Sequence, residues 1–258
     1  MLMTATPVGN ASLLTHVLRH GDRALVLAQR LGEWIAHSPE LEEDMALANI
    51  SLDLLGQARV LYTYAAEIED LGHDEDHYAY WRDPEQFRNP LIVEQPNGDF
   101  AHTIARQFLH DVYAVAHWEA MRSSSDETLA ALATRAAKET SFHLRHSRGW
   151  LVRLGDGTDE SHRRMQAALD TMWPFTSELA ALDDEAQLRD DGVVTDGGVR
   201  ASFDVAVASA IAEATLTTPA PVMVVTSSGG WNGAHSDYLT NLLDELQVLA
   251  RAHPGASW

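Results

Sequence analysis

Apolar residues recur along this chain at the three- and four-residue spacing of helices. Runs of strict alternation, the mark of half-buried strands, are nearly absent. Leu25, Leu27, Leu31 and Trp34 mark a first helix over about Asp22–Ala36. His37-Ser38-Pro39-Glu40 breaks it. Ser38 is suited to cap the next helix, Pro39 to enter its first turn, and Glu40, Glu42 and Glu43 to face its positive end. That second helix spans about Glu40–Asp70, with Leu47, Ile50, Leu54, Leu61 and Tyr64 on its stripe. A connection from Arg82 to Gly98 carries three prolines, and within it only Leu91-Ile92-Val93 has strand character. A third helix runs over about Asp99–Arg122. A fourth covers about Asp126–Leu154, opened by Ser124-Ser125-Asp126-Glu127 as a capping box and stopped by Gly155-Asp156-Gly157. Three more are predicted over about Glu160–Ala181, Val199–Thr217 and His235–Ala252, with a short extended piece at Val222–Val225.

Two helical pairs with tight turns, joined by a long crossover, make an all-α chain with a ferritin-like four-helix bundle core and additional C-terminal helices. Residues 1–18 read as a partly disordered N-terminal tail, and 19–258 as a single ferritin-like domain. A chain of 258 residues is long for one domain but acceptable for a large helical one.

Composition narrows the function. Eighteen basic residues face 38 acidic ones, a formal net charge of −20, and Lys138 is the sole lysine. That balance argues against nucleic acid and anionic membrane as partners. The absence of cysteine excludes disulfides, thiolate metal sites and a cysteine nucleophile, and fits a reducing compartment. Met1–Asn10 lacks the basic start and apolar stretch of a secretion signal, and no 18-residue apolar run is present, so a cytoplasmic protein is expected.

Bundles of this connectivity can hold a di-iron centre. The centre needs one glutamate from each of two helices and a Glu-x-x-His from each of the other two, because residues three apart share a helix face. Here the candidates are Glu33, Asp53, Asp111 and His143. Gly56 stands three residues after Asp53, where histidine is wanted. Thr140 stands three before His143, where glutamate is wanted, and Glu139 is offset by one. One imidazole and one or two carboxylates are missing. Structural roles are equally open: Glu33 pairing with Arg30 or Arg59, Asp53 with Asn49 and Gln57, Asp111 with Arg106 or Arg145, and His143 as a satisfied core histidine. His143-x-x-His146 has chelating spacing but is weak evidence alone. His73-Asp74-Glu75-Asp76-His77 reads as a solvated helix end. Phosphate-binding, nucleophile-elbow and zinc-protease motifs are absent.

Leu31-Gly32-Glu33-Trp34-Ile35-Ala36-His37-Ser38-Pro39-Glu40-Leu41-Glu42, the run Ala46–Arg59, Val93–Gln107, His143–Asp159 and the closing Pro254-Gly255-Ala256-Ser257-Trp258 resemble the family of non-catalytic, ferritin-like subunits of bacterial phenylacetyl-CoA epoxidase. The resemblance covers nearly the whole chain from about Gly21. It implies a ferritin-like component of a monooxygenase that epoxidises the aromatic ring of phenylacetyl-CoA with dioxygen and NADPH-derived electrons. In that enzyme the di-iron belongs to a homologous catalytic subunit, where the fourth-helix run reads Lys-Glu-Glu-Ser-Phe-His. Lys138, Glu139, Ser141, Phe142 and His143 match it and Thr140 departs. The resemblance thus implies a chain with no catalytic residue, cofactor or metal of its own. Glu33, Asp53, Gly56, Asp111, Thr140 and His143 would be vestigial di-metal positions. The implied partners are the catalytic subunit, the reductase indirectly, and a second copy when the partner is absent. The alternative from another class is a self-sufficient di-metal oxidase or iron-binding protein with non-standard ligands.

Overall fold

Asp99 and Asp126 each precede a long helix, and each side chain accepts the backbone N–H three residues on, His102 N at 3.0 Å and Leu129 N at 2.9 Å. Such caps satisfy donors that a helix start leaves open. The structure, a computed structural model, describes residues 8–179, 185–195, 197–220 and 228–256. In order, the α-helices are α1 (Val8–Gly32), α2 (Leu41–Glu69), α3 (Glu75–Tyr80), α4 (Leu91–Glu94), α5 (Phe100–Met121), α6 (Glu127–Gly155), α7 (Asp159–Met172), α8 (Thr176–Leu179), α9 (Ala186–Asp190), α10 (Val199–Glu213) and α11 (Asp237–Ala252). No strand occurs among the described residues.

The core is α1, α2, α5 and α6. Ser51 donates to Ala28 O (2.9 Å) and Tyr62 to Asp22 (2.6 Å), so α1 and α2 run antiparallel. Trp34 Nε1 donates to Thr103 (2.9 Å) while His20 stacks on His117, which sets α1 antiparallel to α5. His146 meets Glu43 (2.7 Å), Gln57 meets Glu139 (3.0 Å) and Tyr64 meets Asp126, so α2 and α6 are antiparallel too. It follows that α2 and α5 are parallel, and residues 70–99 carry the chain back along the bundle. This is the ferritin-like connectivity. Leu27, Leu31, Leu54, Leu61, Ile104, Phe108 and Trp118 fill the interior, each at most 1 % exposed. Gly21 lets α1 approach α2: a Cβ there would lie 2.7 Å from the Tyr62 ring.

Several expectations change. Residues 8–18, read as tail, are the first turns of α1, with His16 and Val17 buried; the helix ends at Gly32, four residues short of its expected end. Residues 1–7 lie outside the described residues. Ser38 does not cap α2: its hydroxyl donates to Trp34 O (3.3 Å), and Glu40 holds the cap position. Leu91–Val93 is helical, not extended, because Leu91 N is taken by the buried Glu178 carboxylate (2.7 Å). The helix after Gly157 stops at Met172, where Pro174 interrupts the hydrogen-bond pattern; its expected end, Ala181, lies outside the described residues, as do Val222–Val225.

The C-terminal third covers α1. Glu178 gathers Leu91 N, Gly229 N (2.7 Å) and Gly230 N (2.6 Å), and Trp231 Nε1 donates to Glu178 O (2.8 Å). Glu94, fully buried, accepts from His235 (3.0 Å) and Ser236 N (2.8 Å). Two carboxylates thus pin α4, the 228–236 loop and the start of α11 onto the bundle.

Candidate functional site

Of the six positions singled out by ligand spacing, the structure brings Asp53 and His143 into contact and does not gather all six at one point. Glu33 follows the last residue of α1, at the end of the bundle. Its carboxylate takes Arg30 Nη1 (2.6 Å) and Asn97 Nδ2 (2.8 Å), and its side chain is 41 % exposed. Asp53 is 44 % exposed at the side chain and accepts from His143 Nε2 (3.0 Å), in place of the expected Asn49 and Gln57. Gly56 borders open space; a Cβ there would meet nothing within 4 Å. The fully buried residue of this turn is Gln57, which donates to Glu139. The interior place that ligand spacing assigned to Gly56 therefore belongs to its neighbour.

Asp111 is completely buried. It accepts from Gln107 Nε2 (2.7 Å) and Ser147 Oγ (2.7 Å) and contacts His110 Nδ1 (3.2 Å), rather than Arg106 or Arg145. Burial drives its pKa well above the usual carboxylate range, against the two hydrogen bonds and Arg23. Arg106 instead donates to Gln95 O and Asn97 Oδ1, each at 2.6 Å, and Arg145 lies over the Phe142 ring. Thr140, also buried, turns its hydroxyl back onto its own helix, donating to Ala136 O (2.7 Å).

His143 is 2 % exposed. Burial lowers its pKa, more than Asp53 and Glu139 raise it. His146 reaches a different α2 carboxylate, Glu43, so the two histidines of the His-x-x-His pair diverge. His73 and His77 are half-buried rather than solvated, stacked at 3.6 Å, with His73 donating to Glu69 (2.7 Å).

The interior also contains a group that ligand spacing gives no reason to seek. Arg23 is buried among Tyr113, Trp118 and Asp111, with its charge over the two rings at 5.2 and 5.5 Å. Burial lowers its pKa, while Tyr113 and Asp111 raise it. A fixed cation there opposes a pair of iron cations beside Asp111. Donor chemistry agrees: a hydroxyl bonded to its own backbone, a glycine facing open space and a neutral-leaning acid are poor ligands for hard iron. The di-iron group implied by the fold family does not fit these residues. Arg23 shares the i, i+4 row of Leu27 and Leu31, and that row was the available signal once α1 is known to begin at Val8. The same early start brings His16 and His20 into the fold beside His117.

Residues 3–258 match the family described as phenylacetic acid catabolic protein. The chain is 49% identical over 248 residues to the subunit designated C of 1,2-phenylacetyl-CoA epoxidase from Escherichia coli (strain K12), covering 95% of this chain and 99% of that relative. No described helix is long and apolar enough to cross a membrane.

Proposed function

The chain belongs to the phenylacetic acid catabolic protein family, and from that premise we propose that it is the non-catalytic subunit of a phenylacetyl-CoA epoxidase, binding and stabilising a homologous di-iron subunit. The observation that carries this reading is Thr140: where a di-iron helix needs a carboxylate directed inward, this chain has a hydroxyl bonded to Ala136 O. The divergent His143 and His146 and the buried Arg23 support it. The residues of this chain then do no chemistry on the ring. They hold a rigid bundle against which the catalytic chain packs, through an obligate interface of more than about 2,000 Å².

Co-expression with the family's full-ligand homologue, followed by size exclusion and iron analysis, tests the proposal. The two chains are expected to co-elute, with iron tracking the partner. Independent elution at micromolar concentration would overturn the partnership. About two irons in each isolated chain, lost on His143→Gln, would overturn the non-catalytic role in favour of a self-sufficient di-metal protein.

A further inference from the structure

His16 and His20 lie one turn apart on α1, so their imidazoles leave the same face. His117 reaches them from α5. All three are buried, at 2, 1 and 6 % exposure, and one nitrogen from each lies within 4.8 Å of the other two. His16 Nδ1 donates to Glu185 Oε1 at 2.8 Å, with Glu185 itself buried. A carboxylate in that position fixes the tautomer and leaves Nε2 as a free lone pair, the arrangement commonly found behind metal-binding histidines. Both nitrogens of His20 and Nε2 of His117 have no hydrogen-bond partner. Orphaned buried nitrogens on His20 and on His117, beside a third imidazole, call for an occupant, because a buried polar atom without a partner is costly.

We propose that His16, His20 and His117 form a buried tri-histidine site for a late first-row divalent metal, of which zinc is the best match. Imidazole nitrogens without a carboxylate select zinc, copper or nickel over magnesium and calcium. Tetrahedral zinc with bonds near 2.0–2.1 Å would hold the nitrogens about 3.4 Å apart. The present nitrogens lie within 4.8 Å of one another, and the rings are not aligned. His20 and His117 stack at 4.1 Å with 22° between planes, and lone pairs lie in the ring planes, so loading requires one ring to turn.

Two arginines act against added charge here. Burial, His117, His16, Arg23 and Arg19 all hold the His20 pKa well below its usual value, and burial with Arg23 and His16 does the same to His117. The effect keeps both rings neutral and free of proton competition. Glu185, which also pairs with Arg19 at 3.5 Å, is the buried carboxylate beside the site, and Arg23 spreads part of its own charge over Tyr113 and Trp118. The site lies apart from the di-metal positions: His117 is six residues beyond Asp111, about 9 Å along α5. The inference does not depend on the subunit proposal.

The isolated full-length chain, stripped with chelator, loaded with zinc chloride and desalted, is the material for the test. One zinc per chain is expected, and His20→Gln and His117→Gln should each lose it on desalting. Glu185→Gln should weaken binding by about 10–100-fold. His77→Gln, at the half-buried His73–His77 stack, should leave the stoichiometry unchanged and controls for chelation elsewhere. Circular dichroism confirms that each variant keeps its helices. X-ray absorption of the zinc-loaded wild type needs no variant, and should fit three imidazoles. Failure to retain zinc, retention by His20→Gln with loss in His77→Gln, or a spectrum with fewer than two imidazoles would overturn the proposal.

Discussion

Asp22 accepts four hydrogen bonds in the core. Its carboxylate accepts from Tyr62 (2.6 Å), from both Nη atoms of Arg82 and from Arg88 N (2.8 Å), all with the Asp22 side chain fully buried. Arg82 is in turn buried against the rings of Phe87, Tyr62 and Tyr78. Removing one partner of such a pair leaves a charge with no counter-ion in low dielectric. Asp22→Asn is therefore expected to cost about 3–5 kcal/mol, read as a shift in the urea midpoint at constant slope. At Thr140 the opposite change is informative. Thr140→Glu restores the carboxylate that di-iron spacing requires, yet it places an acid where a hydroxyl is already satisfied and supplies none of the other missing ligands. A loss of about 3 kcal/mol with no gain in bound iron is expected, checked by urea unfolding and metal analysis. Thr140 was legible in the sequence because spacing alone singles it out. Gly56 was misread by one residue: periodicity fixes a helix face only to within one position, and Gln57 holds the interior.

At the scale of elements, the covering segments are held by polar groups rather than by apolar area alone. His235 Nδ1 meets Glu94 Oε2 (3.0 Å) and its Nε2 meets Phe87 O (2.9 Å). Both partners only accept, so both ring nitrogens must carry protons. Burial lowers the His235 pKa, but Glu94, Phe87 and Asp22 outweigh it and the net shift is upward. The native state thus keeps a proton that the unfolded chain, near pH 6.5, gives up first. The stabilisation is full below about pH 6.5 and drains away as pH rises through the folded value. Unfolding curves of wild type and His235→Gln should accordingly differ most at pH 6 and converge toward pH 9; a gap that widens with pH would contradict this. The helices themselves were legible because apolar residues recur at helical spacing along α2, α5 and α6. Leu91–Val93 was not, since its helical form depends on Glu178, eighty-odd residues away in sequence.

For the whole molecule, the question is which surface meets a partner. Leu52 on α2 and Phe142 on α6 are 64 and 61 % exposed, and they flank the Asp53–His143 contact that joins the two helices. Exposed large apolar groups on adjacent helices are the kind of anchor that dominates subunit interfaces. Within the proposed partnership, Leu52→Asp and Phe142→Asp should each weaken co-elution with the catalytic chain by tenfold or more, about 1.4 kcal/mol, while leaving the fold intact by circular dichroism. Unchanged co-elution would move the interface elsewhere.

The sequence by itself determined the helical class, the four-helix order with its crossover, the family, and the chemical gap at Thr140. The family follows from the resemblance of long motifs, the rest from local spacing and residue type. Tertiary structure alone decided the fate of α1. Its residues 8–18, with His16, read as a tail, and the polar run Arg19, His20, Asp22 and Arg23 follows. In the fold it is buried, because Glu185, Trp231, Asn232 and the bundle interior supply partners from distant parts of the chain. A polar face can be interior when neighbours that pair with much of it arrive through the fold, and periodicity along one helix has no means of recording that.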